Sequence, residues 1–225
     1  MKPCLKTQPA AFKILREPDR LMIRFRTPHR ALSWAVAGGG FRITQTVIWY
    51  RVHNGKSCIG DLSGYLEEKM KSEKLQTAVV LLTSADLAAY CDCTSAAGKI
   101  AARCITTVGL HNALRVGDPP GKPIRGAGTI NLLCRISVPL SNEALIETVS
   151  VAAEARTVAV LDSKVMSRSS GLPATGTGTD CIVVASPVPK GRKVFCYAGK
   201  HTPIGHVIGR SVYEGVRQGI RAACL

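Results

Sequence analysis

An alternation of threonine and glycine, Pro173-Ala174-Thr175-Gly176-Thr177-Gly178-Thr179-Asp180-Cys181, feeds straight into the apolar run Ile182-Val183-Val184-Ala185. The apolar run reads as a buried strand. Gly176 and Gly178 let the backbone bend and let another group approach it closely. Thr175, Thr177 and Thr179 surround the bend with hydroxyls and N–H groups. Asp180 stands at the strand mouth, where a carboxylate can orient a substrate or a water. A segment like this is how a site is built, although glycine–threonine loops also serve as plain turns. It is not a dinucleotide fingerprint. Cys181 holds the third glycine position, and the order is loop into strand instead of strand into loop.

The rest of the chain alternates between strand and helix patterns. Phe12, Ile14 and Leu15, then Leu21, Ile23 and Phe25, flank the turn Glu17-Pro18-Asp19 and predict a hairpin. Gly38-Gly39-Gly40 separates it from a strand over 41–52. Leu62, Tyr65, Leu66 and Met70 predict a helix over 61–74, with Asp61 as N-cap. A short strand at 78–82 and a second hairpin over 90–108, turning at 95–98, follow. Residues 109–126 form a long loop rich in breakers, of the kind that usually has a purpose. It is not a P-loop, because Gly117 and Gly121 are too close and Lys122 precedes Pro123. Strand character resumes over 128–140. Ser141 then caps a helix to about Asp162, with Glu143 in its first turn. Residues 194–197 read as a strand neighbouring 182–185. Thr202-Pro203 opens the last helix as N-cap and first turn, and Gly205, Gly209, Gly215 and Gly219 predict close packing along it. These elements give an α+β fold of mixed layers, with long helices packed on a mostly antiparallel sheet.

The chain has 225 residues, 46% of them hydrophobic, enough to bury a core, and 1–225 is expected to form one domain. No apolar run reaches the length of a transmembrane segment, and the N-terminus lacks a signal core. The nine cysteines are an odd number. Cys104, Cys134, Cys181 and Cys196 sit in strand-like apolar runs, where free cysteine behaves as a small hydrophobe. A reducing compartment, the cytoplasm, fits best. Cys91 and Cys93 are the one close pair, and no metal site is assigned there.

The formal charge of +15 is diffuse, densest at Arg16, Arg20, Arg24, Arg26 and Arg30. No helix-turn-helix, zinc finger or aromatic RNA-binding signature accompanies it, so no specific nucleic-acid partner is expected. It reads as a solvated basic face, with an anionic ligand or membrane surface as the alternative. His-Glu-x-x-His, Gly-x-Ser-x-Gly and Cys-x-x-Cys are all absent. His201 and His206 lie roughly 140° apart on a helix and make poor co-ligands. His201, just before the helix cap, is the one that can face a pocket.

Several segments resemble, in order, the motifs of the adenosylcobinamide amidohydrolase family. They are Thr107-Val108-Gly109-Leu110-His111-Asn112-Ala113-Leu114-Arg115-Val116-Gly117-Asp118-Pro119, Gly128-Thr129-Ile130-Asn131, Glu154-Ala155, the threonine loop through Asp180, and Gly199-Lys200-His201-Thr202 with Gly205. Leu32-Ser33 and the triplet Gly38-Gly39-Gly40 extend the resemblance to nearly the whole chain. That family hydrolyses the amide joining an aminopropanol group to the corrin ring of adenosylcobinamide. The resemblance therefore implies a corrinoid substrate, adenosylcobyric acid as product and a place in corrinoid salvage. No resident cofactor is assigned, since the cobalt arrives inside the substrate. A catalytic metal and homo-oligomerisation are left open.

Amide hydrolysis needs an activated water or nucleophile, a donor to the oxyanion and an acid for the leaving amine. Asp180 is the candidate base or water-orienting group, and Glu154 the alternative. Thr179 or Thr177 is the candidate nucleophile, with loop N–H groups holding the oxyanion. His201 is the candidate acid. Cys181 ranks below the threonines, because an apolar strand raises a thiol pKa. Thr175, Gly176, Thr177, Gly178, Asn112, Asn131 and His111 are the candidate substrate-binding residues, the two asparagines pairing with corrin amides. Asn112, Asn131, Thr177, Asp180 and His201 are expected to line one pocket. Two rival readings stand: a corrinoid-binding module without catalysis, and a phosphate- or nucleotide-binding protein.

Overall fold

The computed structural model describes residues 11–52, 62–120, 128–191 and 193–224. Asp61, read as a helix cap, and the stretch containing Lys122 and Pro123 lie outside the described residues.

The alternation around Glu17-Pro18-Asp19 forms the expected hairpin. Strand β1 (Phe12–Glu17) pairs antiparallel with β2 (Arg20–Ser33), and Glu17↔Arg20 closes the turn. The second strand runs on to Ser33, well past Phe25, because a bulge absorbs Pro28. The register with β3 (Gly40–Arg51) shifts between Arg24 and His29, where the proline has no N–H to give to a ladder. The bulge lets β2 serve different neighbours along one edge. Its first half holds β1, and residues His29 to Ser33 pair with β10 (Cys181–Pro187).

The sheet continues through β4 (Val79–Thr83) on one side, and through β8 (Ile130–Ile136), β6 (Ile100–Val108) and β5 (Cys91–Ala97) on the other. The β5–β6 hairpin turns on Gly98, at φ 60°. The α+β class is as expected, but the sheet is mixed, with two parallel pairings alongside five antiparallel ones among the described residues. Strands β3 and β4 run parallel, as do β8 and β10. A helix separates the members of each parallel pair, which a crossover connection requires. These are α1 (Leu62–Ser72) and α2 (Asn142–Asp162); α3 (Pro203–Ala223) completes a small set of helices.

The apolar residues sort into layers. Cys104, Leu132, Cys134, Ile136, Ile182 and Val184 pack with Ala152, Val160, Val207, Val212 and Val216 of α2 and α3. Their sequence neighbours Ile105, Leu133 and Val183 point the other way and meet Leu21, Ile23, Val47, Trp49, Val79 and Leu81. On the far side, Met22, Ile48, Tyr50 and Val80 pack against Leu66 and Met70 of α1. The sheet is therefore folded over on itself at β2, with helices outside both halves.

The caps are as read. Ser141 Oγ accepts from Ala144 N at 3.1 Å, and Thr202 Oγ1 accepts from Gly205 N at 3.0 Å with Pro203 following. A Cβ at Gly219 would stand 2.4 Å from Val108 Cγ2, whereas one at Gly209 meets nothing within 4 Å, so only part of the α3 glycine series packs closely. Two strand expectations need correction. Residues 194–197 form no strand beside β10, whose edges are taken by β2 and β8; Phe195 makes an isolated bridge to Leu140. Cys196 is accordingly exposed, not buried in a strand.

Candidate active site at the threonine loop

The threonine loop is stitched to residues 112–116. A short strand β7 (Ala113–Leu114) pairs antiparallel with β9 (Gly176–Thr177). Gly178 N donates to Asn112 O at 3.2 Å, and Thr175 N donates to Leu114 O at 2.9 Å. Thr175 spends its hydroxyl on the same join, accepting from Val116 N at 2.8 Å.

Asp180 organises the bend. Its Oδ1 accepts from Ile130 N at 3.0 Å and from the Thr177 hydroxyl, and its Oδ2 accepts from Thr177 N at 2.9 Å and from the Arg156 guanidinium. The two side chains of the ion pair are 6% and 16% exposed, for Asp180 and Arg156 respectively. A carboxylate offers about four lone-pair sites, and four donors occupy them. Gly176 is required beneath this pair, since a Cβ there would lie 2.3 Å from Asp180 Oδ2 and 2.7 Å from Arg156 Nη1.

The neighbouring strand mouth is tied in as well. Thr129 Oγ1 donates to Thr179 O at 2.9 Å. Asn131 is buried, and its Nδ2 donates to Leu82 O at 2.6 Å, joining β8 to the end of β4. Burial pushes the Cys181 thiol up to about 12, so it stays protonated at neutral pH and is a poor nucleophile. Thr179 differs from the other loop threonines. It is exposed, and its hydroxyl has only long contacts, 3.4 Å to Gly128 O and 3.4 Å to Asn112 Nδ2.

Gly178, Thr179, Asp180, Cys181 and Asn131 line a cleft of about 250 Å³, closed by Trp34, Val36, Leu81 and Leu82. Trp34 Nε1 donates to Asp180 O at 2.7 Å. The structure thus brings Asn112, Asn131, Thr175, Gly176, Thr177, Gly178, Thr179 and Asp180 together. It does not bring the other candidates into this network. Glu154 leaves α2 to pair with Lys200 at 2.6 Å, roughly 200° around the helix from Arg156. His201 is exposed and sits beside Gly199, whose neighbour Ala198 donates its N–H to Glu147. His111 lines a different and larger cleft of about 710 Å³, with Lys164 and Arg168, which shares no residue with the first. The larger space is not where the hydroxyls and the carboxylate converge. Among the described residues no group of His, Cys, Asp or Glu side chains is placed to hold a metal ion.

Arg156 and Trp34 were not visible as site residues in the sequence. Arg156 lies two positions from Glu154 in a helix that reads as packing surface, and its partner is 24 positions away. Trp34 sits next to the Leu32-Ser33 motif, the one signal that could have found it.

Comparison with known proteins adds an independent line. The family described as adenosylcobinamide amidohydrolase matches residues 4–224. An uncharacterized protein of Methanocaldococcus jannaschii is 27% identical over 234 residues, covering 92% of this chain and 88% of that one. An adenosylcobinamide amidohydrolase of Methanosarcina mazei is 32% identical over 101 residues, covering 42% of this chain and 47% of that one, so less than half of that relative is matched. Among solved structures, a Burkholderia sp. beta-aminopeptidase aligns with a TM-score of 0.50 at 12% identity, covering 92% of this chain and 78% of that chain. That last likeness is one of fold.

Proposed function

The chain belongs to the adenosylcobinamide amidohydrolase family, and we propose that it hydrolyses the amide joining the aminopropanol arm to the corrin of adenosylcobinamide. Water adds its hydroxyl to the acyl carbon and a proton to the leaving nitrogen, giving adenosylcobyric acid and aminopropanol. The observation that carries this reading is the convergence of three separate family segments on one hydrogen-bonded network around Thr179 and Asp180. Asn112, residues 128–131 and the threonine loop, distant in sequence, are hydrogen-bonded into a single wall. In this reading the product returns to cobamide synthesis in the cytoplasm; among the described residues no helix is long and apolar enough to cross a membrane.

The roles follow from which groups are free. Thr179 presents the one loop hydroxyl not committed to a short bond, so it is the group that meets the scissile amide, as nucleophile or as donor to its oxygen. Asp180 serves as the positioning residue that holds the bend, with Arg156 as its counterion. Its four bonds leave no lone pair for a proton from water. Asn112 stands beside Thr179 to pair with a substrate amide.

One observation favours the second reading, a corrinoid-binding module without catalysis. Asp180 is saturated, and Glu154 and His201 stand outside the loop network, so no free carboxylate–imidazole pair faces Thr179 among the described residues. The two readings separate in a single assay. Purified protein is incubated with adenosylcobinamide, and adenosylcobyric acid is sought by mass spectrometry. Product accumulation in proportion to enzyme is expected. Saturable binding with no product, across pH and added divalent metals, selects the binding module.

A further inference from the structure

We propose that Trp34 and Val36 form the platform on which the corrin macrocycle rests, while only the aminopropanol amide arm enters the cleft. The inference rests on the corrinoid reading above and goes beyond it by assigning the residues that recognise the macrocycle.

Size sets the argument. Pockets for drug-sized ligands run from about 300 to 1,000 Å³, and an adenosylated corrin with its peripheral amides is larger than such a ligand. The cleft under the threonine loop holds about 250 Å³. It admits a short arm and its amide, and the macrocycle must stay outside, against the mouth. Two large apolar side chains line that mouth and remain open to solvent, Trp34 at 51% and Val36 at 52%.

Their segment is anchored at both ends. Trp34 Nε1 donates to Asp180 O, which fixes one edge of the indole against the loop that carries Thr179. Ala37 bridges to Val80 of β4, with Val80 N donating to Ala37 O at 2.9 Å. An indole held by its polar edge offers its apolar body to a flat ligand at little entropic cost, since it is already ordered. The hydrogen bond also couples the platform to the reacting group, because Trp34 and Thr179 are joined through adjacent backbone.

The test uses the corrin with and without its arm. Binding of adenosylcobinamide and of adenosylcobyric acid is measured by calorimetry for the wild type, Trp34→Ala, Trp34→Phe, Val36→Ser and Arg168→Ala, with the melting midpoint of each. The wild type is expected to bind both ligands. Trp34→Ala should weaken both by about tenfold or more, and Val36→Ser by a smaller factor, as loss of apolar contact dictates. Trp34→Phe keeps an aromatic body but loses the N–H, and should stay within about threefold of wild type. In turnover, Trp34→Ala should raise KM for adenosylcobinamide with little change in kcat, the mark of lost uniform binding.

If Trp34→Phe falls as far as Trp34→Ala and both lower the melting midpoint, Trp34 is only a pin for the loop and the platform is overturned. If Arg168→Ala loses affinity and Trp34→Ala does not, the macrocycle occupies the larger cleft, and the proposal fails while the corrinoid reading stands. A folded wild type that binds neither corrinoid overturns both.

Discussion

The guanidinium of Arg156, in the C-terminal third of α2, closes on the carboxylate of Asp180 at the foot of β10. That contact joins the helix layer to the loop that shapes the cleft, and the same carboxylate carries both the N–H and the hydroxyl of Thr177. Removing either partner leaves a charge that is poorly hydrated and unpaired. Arg156→Met is expected to cost about 3–5 kcal/mol, the usual range for breaking one side of a buried pair. The double variant Arg156→Met/Asp180→Asn should recover part of that loss, because no lone carboxylate remains. Urea unfolding of the single and double variants measures the coupling. Additive losses would show that the two groups do not act as a pair.

Asp180→Asn alone separates support from chemistry. The amide keeps the shape but turns one acceptor into a donor facing donors. Melting midpoint and single-turnover rate should fall together, and substrate affinity with them. A fall in rate of about 100-fold with unchanged stability and affinity would instead mark a proton-transfer role.

The three threonine hydroxyls should behave differently. Thr179→Val is expected to lower turnover by about 100-fold or more with little change in stability, as for a group acting in the transition state. Thr175→Val removes the acceptor of Val116 N and should cost about 1 kcal/mol of stability, with turnover largely kept. Equal loss of turnover in the two would mean that the loop acts only as a scaffold. Kinetics and melting of both variants on one preparation decide the point.

Glycine substitutions should have opposite signs at two sites. Gly176→Ala drives a Cβ to 2.3 Å from Asp180 Oδ2, displacing the ion pair, and should destabilise by about 1–3 kcal/mol. Gly209→Ala sits in α3, where a Cβ meets nothing within 4 Å, and should stabilise by about 0.5–1 kcal/mol through helix propensity. Melting midpoints give both signs directly.

His29 predicts a pH dependence unrelated to the site. It is buried, stacked on Phe25 with centroids 4.1 Å apart; its Nδ1 lies 2.8 Å from Thr27 O, and Arg135 Nε donates to its Nε2 at 3.1 Å. Burial lowers its pKa from 6.5 to about 4; the hydrogen bond to the Thr27 carbonyl opposes that shift in part, and the Arg135 charge adds a smaller lowering effect. Between those values the unfolded chain binds a proton that the folded chain refuses. Stability contributed by neutral His29 is therefore present above the unfolded pKa and is lost as pH falls, in total on the order of 3 kcal/mol. His29→Gln should flatten that slope in urea midpoints measured from about pH 7 to about pH 4. An unchanged slope assigns the acid sensitivity to other groups.

Much of the architecture was written locally. The alternation on either side of Pro18, the hydroxyl caps at Ser141 and Thr202, and the bend ending in Asp180 depend on residues a few positions apart. Periodicity and turn chemistry act over that range. The parallel strand pairs were harder to read, because nothing in a strand's own pattern states which neighbour it takes or in which direction. Val194, Phe195 and Cys196 looked like a strand by composition, yet both edges of β10 were already filled by β2 and β8.

For the site, the sequence alone singled out the loop threonines, Asp180, Asn112 and Asn131, and the family to which the chain belongs, since each stands in a short recognisable motif. Only the tertiary structure decided what those groups have left to offer. Asp180 looked like a free base until packing brought Arg156, Ile130 and Thr177 to it, and Asn131 proved committed to Leu82. Glu154 was drawn to Lys200, away from the loop network. Trp34 acquired its place at the cleft from β2 lying beside β10, a partner about 150 residues further along the chain. A side chain's chemistry is set by its own atoms, but its availability is set by the donors, acceptors and charges that folding places around it, and these come from non-local elements.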